Sequence, residues 1–133
     1  MEDKQLDRLY DYTKFHIGIY LSSAGGLAAL ISLVAEGKVK QKDFATFVGM
    51  PGFLTVSFAL MVLAGISGAI VATSTIESPT YEKFLTDKQG AYGIKPFVGK
   101  TWVTLEHGFF WLSLTALVAA LFSASAVRKI MFG

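Results

Sequence analysis

Apolar positions along this chain cluster into three long stretches, and the polar positions fall between them. Phe15 to Ala35 is 21 residues with one ionisable group, His16. Gly52 to Ser74 is 23 residues with none, and Thr101 to Val127 is 27 residues with two, Glu106 and His107. A bilayer core about 30 Å thick is crossed by roughly 20 apolar residues at about 1.5 Å rise each. Each stretch meets that length and is apolar all round. A soluble amphipathic helix would instead show a stripe at a period of about 3.6 residues. The pattern therefore predicts an all-α integral membrane protein: three transmembrane helices in a compact bundle, over 15–35, 52–75 and 101–127, with short interfacial amphipathic helices.

The connecting segments carry their own signals. In residues 1–14, Leu6, Leu9, Tyr10 and Thr13 share one helical face, which predicts a short helix lying in the headgroup region. Gly37 ends the first span, and Lys38, Lys40 and Lys42 follow it to the surface. In the loop over 36–51, Pro51 disfavours helix at Met50, so Phe44 to Gly49 is read as a separate turn or short helix re-entering the interface, the alternative being a kinked extension of the second span. The loop over 76–100 is expected to hold an amphipathic helix at 79–89, with Ser78 as N-cap, Pro79 in first position and Gly90 as the stop. Tyr81, Phe84, Leu85 and Lys88 fall on one face of that helix, and Tyr92, Phe97 and Trp102 are interface aromatics. Residues 128–133 read as a basic tail.

Composition sharpens this picture. The chain is 53% hydrophobic and only 17% charged, against about a quarter charged in soluble domains. All twelve Lys and Arg and nine of the ten acids lie outside the three stretches. A chain of 133 residues cannot bury three such helices on every side in water. The formal net charge of +2, with no basic stripe, argues against a nucleic-acid partner. Having no cysteine, the chain has neither disulfides nor thiolate chemistry. The mixed charges of the first 14 residues do not resemble a signal peptide, so the first span is expected to stay as an anchor. The expected location is a plasma or inner membrane. Lysine and arginine are denser on the side carrying 36–43 and the C-terminus but more numerous on the other, so the positive-inside rule assigns no orientation.

Three spans bring the start of the first, the end of the second and the start of the third to one surface. His16, Glu77, Glu106 and His107 therefore converge near one interface, with Tyr20 on the His16 stripe. Glu106 shares a face with Ser113, Ala116, Ala120 and Ala124 and so points at protein, where an intramembrane carboxylate needs a partner. His16 is the partner expected for it. This polar cluster suits pore lining, a proton relay or structural hydrogen bonding. No catalytic, cofactor-binding or metal-binding set is assigned, because neither histidine has a second ligand-spaced histidine on its own helix. Haem or a metal at His16 and His107 is the minority alternative.

Small residues recur on every span, including Gly25 and Gly26, then Gly65, Gly68 and Ala69, then Ala116 and Ala120. Such residues let membrane helices approach closely. Besides the lipid bilayer, the expected partners are therefore further copies of the chain or another membrane subunit. With no phosphate loop, nucleophile elbow or zincin motif, the chain is not read as an enzyme. The leading expectation is an oligomer that forms or gates a membrane pathway, or a membrane-perturbing effector. The alternative is an accessory or anchor subunit of a larger membrane complex, with His16 and His107 as its redox link, and a membrane-embedded enzyme comes third. The three-span layout resembles that of anchor subunits of quinone-linked redox complexes and equally that of holins; the resemblance is one of architecture alone.

Overall fold

The computed structural model describes residues 4–49 and 51–133. The first three residues of the expected interfacial helix, and Met50, lie outside them. Helix α1 runs Lys4–Ala35, α2 Gln41–Val48, α3 Pro51–Glu77, α4 Tyr81–Thr86, α5 Gly99–Ser123 and α6 Ser125–Phe132. A hairpin of β1, Lys88–Ala91, and β2, Ile94–Val98, joins α4 to α5. Helices α1, α3 and α5 are each long and apolar enough to cross a membrane.

Helix α1 corrects the expectation of a separate interfacial helix before residue 15. Its 32 residues are continuous, because no proline interrupts them, and they extend about 48 Å. The amphipathic face found in the sequence is real but packs against protein: Leu6 is buried with Val71 and Phe84, and Leu9 lies beside them. The helix ends at Gly37, whose φ is +70°. The Gly37 amide donates to the Val34 carbonyl and the Lys38 amide to that of Leu33, both at 3.1 Å. This is a Schellman cap, which uses glycine's access to the left-handed region to satisfy orphaned carbonyls.

Helix α3 is the centre of the bundle. It packs along both α1 and α5, which run parallel to each other on either side of it. Burial reflects this: 44% of its apolar window is buried, against 17% in α1 and 22% in α5. One core cluster joins Tyr20, Ala24, Met61 and Ala64. Another joins Leu27, Phe44, Leu54 and Ala120, so α2 closes the bundle at the end remote from the N-terminus. Phe15, Leu21, Ile66, Trp111 and Leu112 project outward from the three helices and are exposed. Large apolar side chains spread over so much outer surface fit a lipid environment rather than water.

The third stretch breaks earlier than the expected residue 127. At Ala124 the backbone is extended (φ −68°, ψ 130°), and α6 sets off in its place, so residues 128–132 belong to an amphipathic helix, with Gly133 as its C-cap, rather than to a simple tail. Close approach explains the position. A Cβ on Gly49 would overlap Ser123 Oγ and the Ala120 carbonyl, so the turn between α2 and α3 is wedged against this junction. Ser123 Oγ turns back to donate to the Ala120 carbonyl at 2.7 Å.

The other end is capped by α4 and the hairpin, where a longer helix over 79–89 was expected. Thr80, not Ser78, is the N-cap, its hydroxyl accepting from the Lys83 amide at 3.2 Å. Ser78 donates instead to the Ser74 carbonyl at the end of α3, and Pro79 precedes the helix. Gly90 is not a helix stop. It sits at an irregularity in β1, against the Ile94 carbonyl where no Cβ fits. Tyr92 and Gly93, with φ of 53° and 80°, form the two-residue turn, the left-handed pair that matches strand twist in a hairpin. Phe84 is fully buried beneath the cap. Trp102 Nε1 donates to the Gln89 carbonyl at 3.0 Å and pins β1 to α5.

Candidate functional site

Tyr12, His16 and Tyr20 lie four residues apart on α1, so they form one ladder along its axis. Across from them, the first turns of α5 present Glu106, His107 and Phe110. Helices α1 and α5 do not meet backbone to backbone here; these long side chains bridge the space between them. Tyr20 Oη donates to Glu106 Oε1 at 3.0 Å, and both side chains are buried. The expected pairing of Glu106 with His16 is therefore corrected. The tyrosine reaches the carboxylate because its side chain is longer and sits one turn deeper.

The second carboxylate oxygen, Oε2, is buried and has no hydrogen-bond partner among the described residues. Gly68 of α3 sets the depth of the group. A Cβ there would lie 3.5 Å from both Cδ and Oε1 of Glu106 and 3.1 Å from Ile17 Cγ1. Glycine thus lets the carboxylate and Ile17 rest on the α3 backbone from the two flanking helices.

The histidines stand above this pair, toward the capped end. His16 Nδ1 lies 2.8 Å from the Tyr12 carbonyl and His107 Nδ1 2.9 Å from that of Val103. A carbonyl only accepts, so each Nδ1 carries the hydrogen of this bond and leaves Nε2 outside it. The two rings are 6.2 Å apart between centroids. Tyr12 closes over His16 at 3.9 Å and lies 6.1 Å from His107, and Phe110 lies 5.3 Å from Tyr20 below. Half-buried imidazoles thus lead to a fully buried carboxyl group. Such an arrangement can carry a proton between the bundle end and Glu106 by short side-chain movements. Among the described residues, no three His, Cys, Asp or Glu side chains are grouped so as to hold a metal ion.

The remaining sequence candidates separate. Glu77 is exposed at the end of α3 and lines a different cleft, together with Lys95. Gly65 faces Tyr20 and Leu21 at van der Waals distance, and Ala120 is fully buried. With Gly68, these small residues close the bundle internally and are not spare faces. Ala116 is half-buried and Ala69 exposed. Of the four glycines read as helix-packing residues, Gly25 and Gly26 face open space, whereas Gly65 and Gly68 do not.

Sequence reasoning missed Ser57. Its Oγ donates to the Ser113 carbonyl at 2.9 Å, while Ser113 Oγ donates to the Ser57 carbonyl at 2.7 Å. This reciprocal clamp joins α3 to α5 two turns below Glu106. The signal available was a single serine in an apolar run, which carries no partner information. Comparison of the chain with known protein families, characterised proteins and solved structures finds no match.

Proposed function

We propose that the chain is an integral membrane protein that works as an assembly, several copies together forming or gating a pathway across the bilayer. The Tyr20–Glu106 pair with His16 and His107 is the polar element of that pathway, and protons are the species it suits best. Glu106 is the observation that carries this reading. A carboxyl group inside an apolar, membrane-length helix is costly, and such groups mark ion paths and proton relays. Here one oxygen is held by Tyr20 and the other is unengaged.

Assembly is part of the reading for a geometric reason. The cluster of Tyr20, Ala24, Met61 and Ala64 fills the bundle below Glu106, so one copy has no lumen there. Protons reaching Glu106 inside one copy by way of His16 and His107 must then leave along an interface between copies. Gly25 and Gly26, open on the outer side of α1, are where a second helix approaches most closely.

The test is reconstitution of the full chain into liposomes enclosing a pH-sensitive dye. An imposed proton gradient should collapse faster than in protein-free liposomes. Glu106→Gln should return the rate to that of the lipid alone, and Gly25→Leu should lower both flux and oligomer size. Flux that is unchanged by Glu106→Gln would overturn the proposal.

A second reading is an accessory subunit holding a redox group at His16 and His107. Two imidazoles 6.2 Å apart, each anchored to its own helix through Nδ1, favour it. Purified protein would then carry a haem absorption band or bound metal that is lost in His16→Ala and in His107→Ala.

A further inference from the structure

The hairpin stands over the outer side of α3 and turns one stripe of that helix into a walled cleft of about 590 Å³, a size ordinary for small-molecule sites. Its floor is Ile66, Ala69, Ile70 and Thr73, and its far end is Glu77. These positions are spaced i, i+3, i+4, i+7 and i+11, so they lie along a single face. The Thr73 hydroxyl donates to the Ala69 carbonyl of its own helix at 2.9 Å. The floor is therefore apolar until the carboxylate is reached. The opposite wall is the hairpin, residues 90–93 and Lys95.

Glu77 and Lys95 line the same cleft, yet they form no ion pair with each other. One end of the site thus offers an acidic and a basic side chain not paired with each other, and the other offers apolar surface at bilayer depth. We infer that the cleft is a binding site for a zwitterionic aminophospholipid. Lys95 receives the phosphate, Glu77 receives the ammonium group, and an acyl chain lies along Ile70 and Ile66. The match is one of charge sign and of polarity along the stripe. An anionic lipid satisfies Lys95 but meets repulsion at Glu77, and a single cation leaves Lys95 unanswered. This inference rests on the membrane reading but not on the pathway proposed above.

The experiment uses the full chain in mild detergent. It is offered phosphatidylethanolamine and phosphatidylglycerol of identical acyl composition, and bound lipid is counted by native mass spectrometry. One phosphatidylethanolamine should be retained in preference to phosphatidylglycerol. A charge at a membrane surface is worth about 1 kcal/mol, so Glu77→Gln should reduce that preference about fivefold. Lys95→Gln should weaken retention of both lipids, Ile70→Trp should fill the groove and abolish it, and Lys40→Gln at the other end of the bundle should change nothing. Equal retention by the native chain and Glu77→Gln would overturn the inference. So would a cleft that binds no lipid and instead crosslinks, through Lys95, to a second copy. A flotation assay separates the premises: a chain that stays behind when liposomes float removes the membrane reading itself. A chain that floats but shows no lipid preference removes only this site.

Discussion

At the scale of single residues, the Tyr20–Glu106 bond and the glycine beneath it give the sharpest expectations. Glutamine at 106 retains an acceptor for the Tyr20 hydroxyl, so Glu106→Gln should alter stability little. Glu106→Leu and Tyr20→Phe each leave a buried polar group unpaired and should each cost about 1–3 kcal/mol. The two should be non-additive when combined, because both remove the same contact. Thermal unfolding in detergent checks the order; a larger loss for glutamine than for leucine would show that the carboxyl group is held by something other than Tyr20. Gly68→Val puts branches against Ile17 and the carboxyl group and should cost about 1–3 kcal/mol by overpacking. Gly25→Ala, where an added Cβ meets nothing, should leave the unfolding of a single copy unchanged or raise it by up to about 1 kcal/mol. The same unfolding series measures both.

At the scale of elements, the cap of α4 and the hairpin is the part most dependent on one backbone contact. Gly99 begins α5 against the Phe84 carbonyl, with no room for a Cβ, and its amide donates to the Asp87 carbonyl at 3.2 Å. Gly99→Ala must therefore push α4 off α5 and break the Trp102–Gln89 bond that anchors β1. The expected outcome is several-fold faster trypsin cleavage at Lys83 and Lys88, reflecting local opening of the cap, with a change in Trp102 fluorescence. Helix content should stay nearly the same, because α1, α3 and α5 pack independently of that contact. Cleavage at the native rate would mean that Phe84, rather than the Gly99 approach, holds the cap in place.

At the scale of the whole molecule, three membrane-length helices put the ends of the chain on opposite sides. Residues 78–98 then share a side with the N-terminus, while α2 and α6 share the other. Reporter fusions at the two termini, read in cells, should give opposite signals; like signals would remove the three-span topology and the membrane-depth placement of Glu106 with it. The same arrangement explains the division of surfaces. As the central helix, α3 spends Gly65 and Gly68 on its neighbours, whereas α1 and α5 keep most of their apolar surface outward. Contacts with anything outside the bundle therefore fall mainly to α1 and α5.

Length and apolarity alone determined the three long helices, since membrane-scale hydrophobic runs are a local property of the chain. Alternating direction followed from them, and with it the gathering of His16, Glu106 and His107 at one end. Glu106 facing protein was also legible, from its helical spacing with Ser113 and Ala120. Only the tertiary structure decided which partner each group takes. Tyr20 wins over His16 because partner choice depends on side-chain reach across the space between α1 and α5, which no spacing along one helix encodes. The reciprocal Ser57–Ser113 clamp depends likewise on the register of α3 against α5. The hairpin escaped because Tyr92–Gly93 is an uncommon left-handed pair and Pro96 speaks against a strand; its pairing and the anchoring by Trp102 outweigh both. The small residues, finally, look alike in sequence. Whether one closes the bundle, as Gly68 does, or faces outward, as Gly25 does, is set by which side of its helix meets a neighbour, and that is a property of the assembled molecule.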